Sequence, residues 1–118
     1  MFKFLRYSLI ISSWSLVLSG FALANSGSFV GVQGESVRGT ATVSSKSVSL
    51  SSNFRSSSGP DLYVYLGNKR PTKIIARLRK LSGGQTYELP KGIDLSDYST
   101  VFIHCKRYNH TYGQARLR

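Results

Sequence analysis

A chain of 118 residues with sixteen Lys and Arg against five Asp and Glu has a formal charge of +11. Its single cysteine excludes an internal disulfide, and with only two histidines it also excludes the paired-cysteine patterns of structural zinc and of covalently attached haem. The length suits one domain, which at this size buries only about 60–65% of its unfolded surface.

The first 24 residues read as a leader. Lys3 and Arg6 precede an apolar run from Tyr7 to Phe21, and Ala22-Leu23-Ala24 places small residues where a signal peptidase reads them. We expect a signal peptide over 1–24, cleaved before Asn25, and a mature domain over 25–118 that is secreted or periplasmic. The alternative is an uncleaved membrane anchor, but Ser8, Ser12, Ser13 and Ser15 dilute a run already short for a span. No second run of spanning length follows, so no transmembrane segment is expected after cleavage. Without Lys3 and Arg6 the formal charge falls from +11 to +9. Export argues against nucleic acid as the partner of that charge, and favours anionic lipid or glycan of the cell envelope.

From Asn25 to Gly34 the composition suggests a flexible Ser/Gly-rich start and then a first strand around Phe29-Val30-Gly31-Val32. Val37 to Ser44 alternates as one half-solvated strand, and Lys46 to Ser51 is its partner. Asn53 to Asp61 is a loop by composition. Leu62-Tyr63-Val64-Tyr65-Leu66 is apolar on both faces and reads as a central strand. Lys69 to Leu81 fits either helix or strand; in the strand reading Ile74, Ala76 and Leu78 share a face. Gln85 to Leu89 is a short strand, and Asp94 to Tyr98 allows one helical turn at most. Thr111-Tyr112-Gly113 and Ala115-Arg116-Leu117 form a closing pair. Many short strands with frequent turns predict an all-β fold, an antiparallel β-sandwich or flattened barrel of about eight strands.

Thr100 to Gly113 concentrates the chemistry, with the cysteine and both histidines. Read as a strand, Val101, Ile103, Cys105 and Arg107 share one face, and Phe102, His104 and Lys106 the other. Arg107 would lie roughly 7 Å from Cys105 along the strand, where a cation favours the thiolate. The bland reading of Cys105 is a small buried hydrophobe. Cys105 and His110 are five positions apart across a strand end, a spacing that does not fix hydrogen-bond contact. Non-covalent haem ligation by Cys105, His104 or His110 stays open. No serine sits in a nucleophile elbow and no carboxylate pair suggests a glycosidase, so a hydrolase reading fails. Arg77, Arg79 and Lys80 belong to a basic run without acids, the candidate patch for an anion or an ordinary solvated face.

Four segments in order, Gly39 to Thr42, Gly59 to Leu66, Gln85 to Pro90 and Asp97 to Tyr108, resemble the electron-transfer DM13 domain, over about Gly27 to Leu117. The resemblance implies a β-rich extracytoplasmic module and a strand for the ambiguous segment. It also implies that the family's cysteine, here Cys105, acts in redox chemistry as a bare thiol or through a bound group such as haem. Gly59, Pro60 and Asp61 match the family's Gly-Pro-Asp. His104 stands where the family usually has tryptophan, and Arg116 where proline is common. Two functions follow. One is a redox module serving a partner protein, with Cys105 electroactive or cofactor-binding, His104 a further cofactor-ligand candidate, Asp61 orienting the sulfur and Arg107 stabilising its anion. The alternative is a non-catalytic basic module for anionic envelope components, and in neither is the chain a conventional enzyme.

Overall fold

A computed structural model describes residues 25–118, so the expected leader over 1–24 lies outside the described residues. Ten strands follow in order: β1 Asn25–Gly31, β2 Val37–Arg38, β3 Thr40–Val43, β4 Ser47–Leu50, β5 Arg55–Ser56, β6 Leu62–Gly67, β7 Pro71–Arg77, β8 Gln85–Glu88, β9 Thr100–Cys105 and β10 His110–Arg116. Eight make one antiparallel sheet in the order β7-β6-β9-β10-β1-β3-β4-β8, while β2 and β5 pair separately. The sheet curls until its two edges nearly meet, giving the all-β flattened barrel that the strand pattern predicts. Among the described residues no helix is long and apolar enough to cross a membrane.

The barrel curls because β1 serves two neighbours. Asn25 to Ser28 pair with β3, and Phe29 to Gly31 pair with β10. Gly27 sits at this switch, where an added Cβ would lie 2.0 Å from the Arg116 carbonyl oxygen. The expected flexible start is therefore strand from Asn25 onward. Its Ser/Gly composition hides the fact that its backbone groups are satisfied by a ladder. The expected strand from Val37 to Ser44 is also split, because Gly39 takes φ 106 and turns the chain between β2 and β3. Part of the loop after Asn53 becomes β5, which pairs with β2.

The ambiguous segment is strand. Tyr63 to Gly67 register against β7, with an irregularity that sets Val64 opposite Ala76 but Tyr65 opposite Ile74. The extra residue, Ile75, is a bulge and breaks the simple alternation. Ile74 therefore faces solvent, while Ile75, Ala76 and Leu78 pack on the core. The expected closing pair is one strand, β10, irregular between Thr111 and Gly113. The single turn near Asp94 is observed as a 3-10 turn at Leu95–Asp97, capped by the Asp94 side chain on the Ser96 amide.

Alternation on β9 divides the wall. Val101, Ile103 and Cys105 join Leu62, Val64, Leu66, Val43, Val48 and Phe54 in the interior. Phe102 and His104 point to the other side and are nonetheless buried. Thus β6 and β9, covered on both faces, have the continuous apolar character read from Leu62 to Leu66.

Candidate functional site

Cys105 ends β9. It registers with Leu62 of β6 on one side and His110 of β10 on the other, and it is 1% exposed. Directly opposed residues on antiparallel strands bring their Cβ atoms to about 4.5–5.5 Å, on the same face. The register thus makes Cys105 and His110 neighbours, although no hydrogen bond joins them among the described residues. The connecting residues Lys106 to Asn109 form a four-residue hairpin loop, closed by the Asn109 amide on the Lys106 carbonyl at 3.3 Å. Asn109 takes φ 49, a conformation Asn tolerates.

That loop corrects the expected role of Arg107. The strand stops at Cys105, so Arg107 lies in the exposed turn and does not share the cysteine's strand face. The polar residue registered opposite Cys105 is His110, whose Nε2 lies 3.0 Å from Glu35 Oε2. The other Glu35 oxygen accepts from Ser57 Oγ at 3.2 Å. The His110 ring stands edge-on to Tyr112, with centroids 5.4 Å apart. Burial, with lesser contributions from Glu35 and Cys105, holds the Tyr112 phenol above its ordinary value, so it stays protonated near neutrality. Its hydroxyl donates to the Ser58 carbonyl at 3.4 Å.

Asp61 does not orient the sulfur. Its carboxylate meets Arg77 Nη2 at 2.9 Å, and its carbonyl accepts the Lys106 amide at 3.0 Å. Arg77 also donates to the Tyr63 hydroxyl at 3.0 Å and lies over that ring, with Lys106 also within cation–π reach. Arg79 stacks 4.3 Å over Tyr87 and donates to the Thr86 carbonyl. Two of the three cations expected to form an anion patch are therefore engaged with their own neighbours, and Lys80 is an exposed residue beside them.

His104 is on the opposite side of β9, 5% exposed. Its Nε2 lies 3.1 Å from Asn109 Oδ1, an acceptor, so Nε2 carries the proton. Its Nδ1, 2.9 Å from Thr111 Oγ1, then accepts from that hydroxyl. Burial pushes the imidazole below 6.5, which keeps it neutral. The ring stands edge-on to Tyr65 at 5.0 Å.

The candidate haem ligands are poorly placed: Cys105 is enclosed, His104 has both nitrogens committed, and His110 Nε2 is engaged by Glu35. No group of three His, Cys, Asp or Glu side chains that could hold a metal occurs among the described residues.

Sequence reasoning missed Glu35 and the His110–Tyr112 contact, and set the Cys105–His110 pair aside because its spacing does not fix contact. The signal was present: four polar residues between Cys105 and His110, ending in Asn, are a hairpin loop that places the two opposite each other. Nothing in the sequence brings Glu35, 75 positions away, to His110.

The profile of the family described as Electron transfer DM13 matches residues 28–117. Neither a comparison with curated proteins nor one with solved structures returned a match.

Proposed function

We propose that this chain, which belongs to the electron-transfer DM13 family, is an extracytoplasmic electron-transfer domain whose redox group is the Cys105 thiol. The observation that carries this reading is the register of Cys105 with His110, itself held by Glu35. Thiol–disulfide exchange needs an accessible sulfur, and Cys105 is enclosed. A buried sulfur can still exchange an electron with a protein docked outside. The Cys105 thiol gives one electron to an oxidised one-electron partner protein and its proton to the His110 imidazole registered opposite it, once the two side chains close to hydrogen-bond distance. The products are a thiyl sulfur, a reduced partner and an imidazolium paired with the Glu35 carboxylate. Return of the electron and the proton restores the thiol. Glu35 stabilises the charge that appears on His110 and keeps the ring in place.

Voltammetry of the purified protein tests this. We expect a one-electron wave that is absent from Cys105→Ala. A thiol reagent should leave the native protein unmodified and label one equivalent after denaturation. A wave that survives Cys105→Ala, or rapid native labelling, overturns the reading.

A further inference from the structure

The short β2–β5 ladder sets Arg38 directly opposite Arg55. Like charges facing each other across antiparallel strands repel, and a fold normally separates them or places an acid between them. Here neither guanidinium has a carboxylate partner among the described residues, where the only ion pairs are Arg77 with Asp61 and His110 with Glu35. Glu35 is the nearby acid, and both of its oxygens are occupied, by Ser57 and by His110.

The two arginines line a groove of about 520 Å³ together with Ser36, Ser57, Ser58 and Ser82. The hydroxyls of Ser36, Ser58 and Ser82 have no hydrogen-bond partner among the described residues, whereas Ser57 Oγ is fixed by Glu35 Oε1 at 3.2 Å and the Ser36 carbonyl at 3.1 Å. Backbone bonds hold the groove's floor: the Ser56 amide donates to the Leu81 carbonyl, and the Ser57 amide to that of Ser36, each at 2.8 Å. The site therefore combines two fork-shaped donors, several hydroxyl donors and a rigid backbone, with no carboxylate on its lining.

We propose that this groove binds a tetrahedral oxyanion, phosphate or sulfate, carried as an ester on a polar ligand. Guanidinium forks match such anions with paired N–H donors, and the hydroxyls meet the remaining oxygens. A bound dianion turns the Arg38–Arg55 repulsion into a bridged pair. The groove is roomier than a lone anion requires, and its hydroxyl-rich lining suits the polar body of an ester. The site stands independently of Cys105.

The test is a titration of the purified protein with inorganic phosphate, inorganic sulfate, glycerol phosphate and acetate at low ionic strength, followed through backbone amide shifts. Arg38→Gln, Arg55→Gln and the distant Arg116→Gln are compared. Phosphate should saturate, with shifts confined to residues 36–38, 55–58 and 82. Each groove variant should bind about tenfold more weakly or worse, as expected for a lost charge-assisted fork, and Arg116→Gln should bind like the unaltered protein. Glycerol phosphate binding more tightly than phosphate supports an ester as the natural ligand; equal affinity supports the anion site alone. Melting gives a second readout. Without anion, Arg38→Gln should melt no lower than the unaltered protein, because a repulsion is gone, and phosphate should raise the melting temperature more where both arginines remain than in either variant. Acetate matching phosphate, unsaturable shifts, or groove variants that bind normally would overturn the site.

Discussion

His104 and Cys105 are adjacent in sequence and sit on opposite sides of one wall, in different chemistries. The sulfur lies in the interior among aliphatic and aromatic side chains, with the partly exposed His110 registered beside it. The imidazole of His104 is enclosed between Tyr65, Asn109 and Thr111 as a neutral ring. Because burial holds its pKa below 6.5, the unfolded chain binds the proton that the native state refuses. The unfolded state therefore holds more protons as the pH drops through 6.5, and stability falls until the pH passes below the native value. Denaturant titrations from pH 7.5 to pH 5 should show that loss. In His104→Gln the slope should be shallower, though the protein is less stable throughout because two buried hydrogen bonds are changed, at about 1 kcal/mol each. An equal slope in both proteins would place the proton elsewhere. The polarity of His104 was legible in the sequence, but its neutrality was not, since that depends on Asn109 and Thr111 returning across a hairpin.

The elements most visible in the sequence were those whose side chains decide their structure. Leu62 to Gly67 and Thr100 to Cys105 are mostly apolar, are covered on both faces and lie inside the sheet. The elements that escaped are held by backbone. β1 begins among Asn, Ser and Gly, β5 is an Arg-Ser pair, and the β7 bulge at Ile75 leaves no mark in hydropathy. Glycine contacts make the same point quantitatively. At Gly27 a methyl group would meet the Arg116 carbonyl at 2.0 Å, and neither strand can yield without breaking the switch of β1 from β3 to β10. Gly27→Ala should cost about 1–3 kcal/mol or more by overpacking. At Gly34 nothing lies within 4 Å, and only the positive φ of 85 opposes a side chain. Gly34→Ala should therefore cost about 1 kcal/mol. Thermal melts of the two variants give the comparison, at roughly 4–8 °C per kcal/mol for a domain of this size. A larger loss at Gly34 would contradict the strand switch.

At the scale of the whole molecule the barrel closes without a hydrogen-bonded ladder between its last two strands, β7 and β8. The joint is made by Tyr87, whose hydroxyl accepts the Arg79 amide at 2.9 Å and donates to Gln85 Oε1, and by Gln85 itself, which exchanges bonds with the Lys80 backbone at 3.2 and 3.0 Å. Arg79 lies over the Tyr87 ring. Tyr87→Phe keeps the ring and removes the bridging hydroxyl, leaving the Arg79 amide and Gln85 short of partners. We expect a loss of about 1–3 kcal/mol and faster hydrogen exchange at residues 79–88, with β9 and β10 unaffected. Uniformly faster exchange would mean that the joint is not a separate unit. An all-β class was readable from strand spacing alone, whereas this closure depends on a phenol, an amide and a guanidinium that nothing in the sequence singles out.

A cylinder fastened along one line by side chains has a zip. Parting it there would leave every ladder elsewhere intact. The two strands bordering the slit would then be the first to show free main-chain groups to a passing peptide. Pro71, which lacks a donor, and Lys73, which brings charge, already stand on one of them as guards against such an intruder.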